Sequence, residues 1–186
     1  MTAEPVLVER LTYDEYVKFE HLSEVRHEFV GGQVYAMSGG TEAHDLAAQG
    51  IFTRLTGPFP AKGCRAFIFN RNLRVGEDGY YPDVMVTCSQ GAHRHYETDA
   101  AWIIEVSSPS TDDHDRREKS IAYARLPSLQ GYILIDPDME FARLGRRTSE
   151  GWEWYQYGPR HTIDLDGVHL DLAEIFAELR ETRVSE

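Results

Sequence analysis

Residues 102–119 read WIIEVSSPSTDDHDRREK: an apolar run closed by an acid, then a proline and a dense patch of charge. WIIEV has the β-branched and aromatic weight of a core strand. A carboxylate is costly to bury without a partner. A chain that ends a core strand on Glu105 must send that end to water or give it a partner. Pro109 stops the strand. Ser110 or Thr111 can cap a helix whose first turn holds Asp112 and Asp113, where negative charge suits the dipole. That helix is expected to run to about Arg125, ahead of Pro127.

The rest of the chain supplies more short elements. LTYDEYVKFEHL opens a helix in which Thr12 and Glu15 form a capping box. HEFVGGQVYAM reads as a hairpin turning on Gly31-Gly32. A second helix starts at Thr41. CRAFIFNRNLRV is β-prone, EDG at 77–79 marks a turn, and YYPDVMVTC and AWIIEVSS are strands. GYILIDP is short, highly apolar and expected at the centre of the sheet. FARLGRR and GWEWYQYG read as an antiparallel pair around a turn at 148–150. The last helix places Leu172, Ile175, Phe176 and Leu179 on one stripe. Strands and helices in this mixed order predict an α/β (α+β) fold: one domain over residues 1–186, with a sheet flanked by helices.

Composition narrows the function classes. Hydrophobic residues make up 41% of the 186 and aromatics 11%, too many for a disordered chain. No apolar stretch reaches the roughly 18 residues that span a bilayer. MTAEPVLVER has acids where a signal peptide carries a basic region, so a cytoplasmic location is expected. Cys64 and Cys88 lack metal or redox spacing and are expected as free core thiols. The net charge of −12 argues against holding DNA by bulk attraction. It leaves open an enzyme whose acids hold a cation that then meets phosphate.

Three acids suit that role. Asp83 leads into VMV, Glu105 closes WII about twenty residues later, and Glu28 lies in the first hairpin strand. Carboxylates projecting from neighbouring strands can hold a hard divalent cation such as Mg²⁺. The bland alternative is a set of strand-end acids facing water. The ordered set of PD, EVS, SPST…D…K…Y…R and GYILIDP resembles the Uma2 family, also called DUF820. That family is grouped with the endonucleases of the PD-(D/E)XK, or restriction-endonuclease-like, superfamily. HEFVGGQVYAM followed by His44 is similar to its N-terminal signature.

The resemblance implies a restriction-endonuclease-like mixed sheet with an N-terminal helix and hairpin. It also implies hydrolysis of phosphodiester bonds in nucleic acid, DNA before RNA, with Mg²⁺ or Mn²⁺. Asp83 and Glu105 match the metal-binding acids, and the backbone carbonyl of Val106 a third ligand. The superfamily lysine two residues after the glutamate is Ser107 here; the family pattern takes Lys119 from the following helix. Glu28 matches an acid close to the same centre.

Bland readings compete at several positions. Lys119 could pair with Asp115 on the helix surface, and Tyr123, one turn beyond Lys119, could be core rather than site wall. His44 could be a packed or surface histidine. DDHD at 112–115 reads as a solvated helix start, and HRH at 93–95 as a loop tip. Arg71 and Arg74 are surface charge or phosphate contacts. Trp152, Trp154 and Tyr157 are packing or a dimer surface. A nuclease cutting both strands suits a homodimer. The competing readings are a binding module that keeps the fold but cuts nothing, and a hydrolase of a small phosphoester.

Overall fold

The computed structural model describes residues 10–37, 39–89, 91, 93–107 and 113–183, with no account of the side chains of 113–116, 182 and 183. The expected caps Ser110 and Thr111, with Asp112, lie outside the described residues, as do the side chains of the rest of DDHD. Helix α1 (Tyr13–Leu22) starts on the expected capping box: Glu15 N–H donates to Thr12 Oγ1, and Thr12 N–H donates to Glu15 Oε2. Strands β1 (His27–Val30) and β2 (Gln33–Ala36) form the hairpin, with Gly31 and Gly32 both at positive φ. Helices α2 (Glu42–Leu55) and α3 (Pro58–Ala61) follow.

The next strands depart from expectation. CRAFIFNRNLRV is not one strand but two, β3 (Arg65–Ile68) and β4 (Asn72–Val75), in different sheets. The break is Phe69, whose φ of 54° swings the backbone into the left-handed region. YYPDVMVTC divides in the same way, into β5 (Asp78–Tyr80) and β6 (Val84–Thr87), across Pro82, which has no N–H to give a ladder. The turn between β4 and β5 sits at Gly76-Glu77, slightly earlier than EDG suggests.

After the short β7 (Tyr96–Glu97) come β8 (Trp102–Val106), α4 (Asp113–Tyr123) and β9 (Gly131–Asp136). Then β10 (Phe141–Thr148) and β11 (Gly151–Tyr157) form the expected antiparallel pair. Strands β12 (Thr162–Leu165) and β13 (Val168–Asp171) precede α5 (Leu172–Arg183). The six-stranded mixed sheet runs β11-β10-β9-β8-β6-β3, and a five-stranded sheet runs β2-β1-β5-β4-β7. Strands β8 and β9 are parallel, joined by α4.

Both faces of β8 are covered, which is why it reads as a continuous apolar run. Trp102, Ile104 and Val106 join the core under α2 and α5. Ile103 joins a second core with Tyr123, Leu129 and Tyr132. Side chains alternate along a strand, so Glu105 shares the face of Ile103, toward α4. α5 buries Leu172, Ile175, Phe176 and Leu179 as expected. No helix among the described residues is long and apolar enough to cross a membrane.

The cysteines are not free thiols. Cys64 and Cys88 form a disulfide. The β3–β6 register, with Arg65 opposite Thr87, sets Cys64 opposite Cys88 one step beyond the ladder. That register is a product of the fold, so spacing along the chain could not show it.

Gly131 makes one close contact obligatory. It faces Trp102 across the β8–β9 pair, and a Cβ there would lie 2.1 Å from the buried indole ring. Gly131→Ala is expected to lower stability by about 2 kcal/mol through overpacking, read from urea unfolding.

Candidate active site

The β3–β4 and β5–β6 crossings between sheets lie side by side, and Asp83 occupies that corner. In the β6–β8 register Val84 faces Ile104 and Met85 faces Ile103. Extending it one step sets Asp83 against Glu105. The Asp83 N–H donates to Glu105 Oε2 at 3.4 Å, and the Val106 N–H donates to Asp83 Oδ2 at 2.8 Å. The Phe69 N–H donates to the Asp83 carbonyl at 3.0 Å, which fixes the corner from the other side.

Glu105 is 8% exposed. Its Oε1 accepts from the Tyr123 hydroxyl at 2.8 Å. Burial pushes the Glu105 carboxyl well above the usual carboxylate range, and the Asp83 charge adds to the rise, while Lys119 and the Tyr123 hydrogen bond oppose it. Burial, then Glu105, raises the Tyr123 phenol, so it stays a donor. Tyr123 is both core and site wall, which joins the two readings open in the sequence.

Lys119 reaches back to the strands. Its Nζ lies 2.7 Å from Glu28 Oε1, with both side chains largely buried. Glu28 also accepts from the Tyr81 N–H at 3.4 Å. Lys119 therefore has a partner inside the site; the Asp115 side chain lies outside the description.

His44 belongs to the same cluster. Its Nε2 lies 3.1 Å from Asp83 Oδ2 and its Nδ1 3.1 Å from Asp45 Oδ1. Burial lowers its pKa, but the Asp83 bond and charge, with those of Asp45, outweigh that and lift it to about 9. Its ring stacks on Phe69 at 5.8 Å.

All seven sequence candidates thus meet at one place: Asp83, Glu105, Val106, Glu28, Lys119, His44 and Tyr123. Others do not. Arg71 donates to Glu97 and to the carbonyls of His93, Arg94 and Tyr96, pinning the HRH loop. Arg74 pairs with Glu77 and covers the Tyr13 ring. Trp152 and Tyr157 pack against the two cores, while Trp154 is half exposed. One contributor carried no sequence signal, the Phe69 turn, while Ser107, at the motif's lysine position, is a buried hydroxyl with no hydrogen-bond partner among the described residues.

The donors fit a hard divalent cation. They are oxygens, and two carboxylates facing each other at a buried strand end are relieved by positive charge. Among the described residues no group of three His, Cys, Asp or Glu side chains is placed to hold a metal ion. Mg²⁺ needs none, since one or two carboxylates with waters suffice. Asp83 Oδ2 is occupied by hydrogen bonds, and Oδ1 takes none among the described residues.

The family model described as "Putative restriction endonuclease", Uma2, matches residues 13–179. The chain belongs to the Uma2 family. Two uncharacterised Synechocystis proteins are similar. One, slr1290, is 30% identical over 171 residues, covering 88% of this chain and 89% of the relative. The other, sll1609, is 27% identical over 132 residues, covering 68% and 75%. A crystal structure from Anabaena variabilis, described as "a putative nuclease belonging to DUF820", superposes with a TM-score of 0.74. It is 19% identical and covers 91% of this chain and 99% of that one. At that identity the likeness shows the fold, and the Uma2 chain here has the restriction-endonuclease-like fold.

Two expectations concern the metal-free protein. Glu105 binds its proton more tightly folded than unfolded, so its ionisation costs stability that is absent below about pH 4.5 and grows as pH rises toward the folded value. Glu105→Gln is expected to be more stable than wild type at neutral pH by about 1 kcal/mol, read from urea unfolding. His44, whose folded pKa is also raised, runs the same way with pH, but here the charged form is the one the fold favours. Its contribution is full below about pH 6.5 and is lost as pH rises through about 9. The stability gap between wild type and His44→Gln, measured by urea titration across that window, is expected to close at the alkaline end.

Proposed function

We propose that this protein is a metal-dependent endonuclease hydrolysing phosphodiester bonds of nucleic acid, with DNA the first substrate to test. The observation that carries the reading is the convergence of Asp83, Glu105 and the Lys119–Glu28 pair at one strand end. Structural ion pairs do not require two facing carboxylates at the end of a buried strand.

Asp83, Glu105 and the Val106 carbonyl are the proposed ligands of Mg²⁺ or Mn²⁺. Bound there, the cation would neutralise the phosphate and lower the pKa of a water. The chain's own groups do the rest. The Val106 N–H and His44 hold Asp83 by Oδ2 and orient Oδ1. Tyr123 holds Glu105 by Oε1. Lys119, aimed by Glu28, supplies the cation that orients the attacking water or stabilises charge on the phosphorane. Ser107 stands where the superfamily motif has lysine, and its buried hydroxyl brings no positive charge, so the cation comes from Lys119. A homodimer suits cutting of both strands.

Supercoiled plasmid with Mg²⁺ or Mn²⁺ tests this. Wild type is expected to nick or linearise it. Asp83→Ala and Glu105→Ala are expected to lose cutting and also the metal-induced rise in melting temperature. Lys119→Ala is expected to cut about 10²-fold more slowly while still binding metal by calorimetry. Cutting retained in Asp83→Ala and Glu105→Ala would sink the assignment. A protein indifferent to both metals would favour the binding module.

A further inference from the structure

A cavity of about 220 Å³ opens beside the carboxylate centre, between α1 and the 93–96 loop. Its mouth gathers exposed cationic and aromatic groups: Arg26, Arg94, His21 and His95. That grouping stands out in a chain of net charge −12. The acids within reach are already engaged. Glu20 accepts from the Tyr81 hydroxyl at 3.0 Å and from both the backbone and ring nitrogens of His27, and its Oε1 lies 3.8 Å from Arg26 Nη1, a long ion pair that leaves the other Arg26 donors to the cleft. Glu97 is held by Arg65 and Arg71. Arg71 spends its remaining donors on loop carbonyls, so it shapes the cleft and does not face outward.

Two residues join this cleft to the centre. Tyr81 lines it with its phenol, under the Arg26 guanidinium at 5.7 Å, while its N–H donates to Glu28. Asn70 lines it next to Phe69, whose N–H holds Asp83. Tyr81 stands two residues before Asp83, so the backbone that carries the acid also lines the cleft. Cations beside aromatic faces are what a sugar–phosphate backbone with unstacked bases takes.

We infer that the α1 cleft holds the nucleic-acid strand flanking the cleaved bond, with Arg26 and Arg94 on its phosphates. The inference rests on the nuclease reading. It accounts for how a strongly acidic protein approaches a polyanion: the positive charge is local and stands beside the cutting centre.

The test is fluorescence anisotropy of a labelled single-stranded oligodeoxynucleotide with Asp83→Asn protein, which cannot cut, at several salt concentrations with Mg²⁺ present. Arg26→Gln and Arg94→Gln are added singly, with Arg160→Gln as an exposed bulk-charge control and thermal melting to confirm folding. Each cleft variant is expected to weaken binding about fivefold and to lower the salt slope by ~0.7, leaving the control unchanged. Unchanged affinity and slope in both cleft variants, with plasmid cutting intact when the same substitutions are made in protein that keeps Asp83, would overturn the cleft and leave the nuclease standing. No binding to any single strand, duplex or RNA would overturn both. Equal binding of a polyglutamate peptide would overturn the assignment to nucleic acid.

Discussion

Two carboxylates face each other at the end of a buried strand, and the surrounding structure answers their repulsion. Asp83 and Glu105 are brought opposite by the β6–β8 register, in a place water barely reaches. Each neighbour offsets part of the cost. The Val106 N–H and His44 bind Asp83, Tyr123 binds Glu105, and Lys119 brings a positive charge. What stays uncompensated appears as the raised Glu105 pKa. A protein selected for stability alone would place an apolar residue here. Two acids in this place fit the proposal of a site that holds a cation.

The geometry comes from a chain that changes sheets twice at one level. Phe69 turns the first crossing and Pro82 the second, and Asp83 stands directly after the second. The Phe69 N–H to Asp83 carbonyl bond ties the two crossings together. Backbone strain at Phe69 is then part of how the acid is aimed. The same corner exposes the cleft behind Tyr81, so centre and cleft share a cause.

Much of the local structure was legible. The Thr12–Glu15 box, the Gly31-Gly32 hairpin, the β10–β11 pair and the stripe on α5 are all short-range patterns, and all are present. The seven candidate residues were reachable through ordered motifs spread over the chain. The second sheet was not legible, because β3–β4 and β5–β6 each read as one continuous β-prone run. The Cys64–Cys88 bridge was also hidden, since it follows from strand register. Lys119 had two open partners in sequence, Asp115 on its own helix and the distant strand end, and helical spacing favoured the near one.

The sequence by itself determined the longer helices, the first hairpin, the β10–β11 pair, the buried strand that ends in an acid, and the helix that follows it with a lysine. Those depend on periodicity, capping and apolar weight, which act over a few residues. Only the tertiary structure decided which acid faces which, that Glu28 holds Lys119, and that the cysteines pair. Those depend on register and on the crossing between sheets. A one-residue slip would turn Glu105 to the other face of its strand, away from α4 and the tyrosine and lysine it meets there.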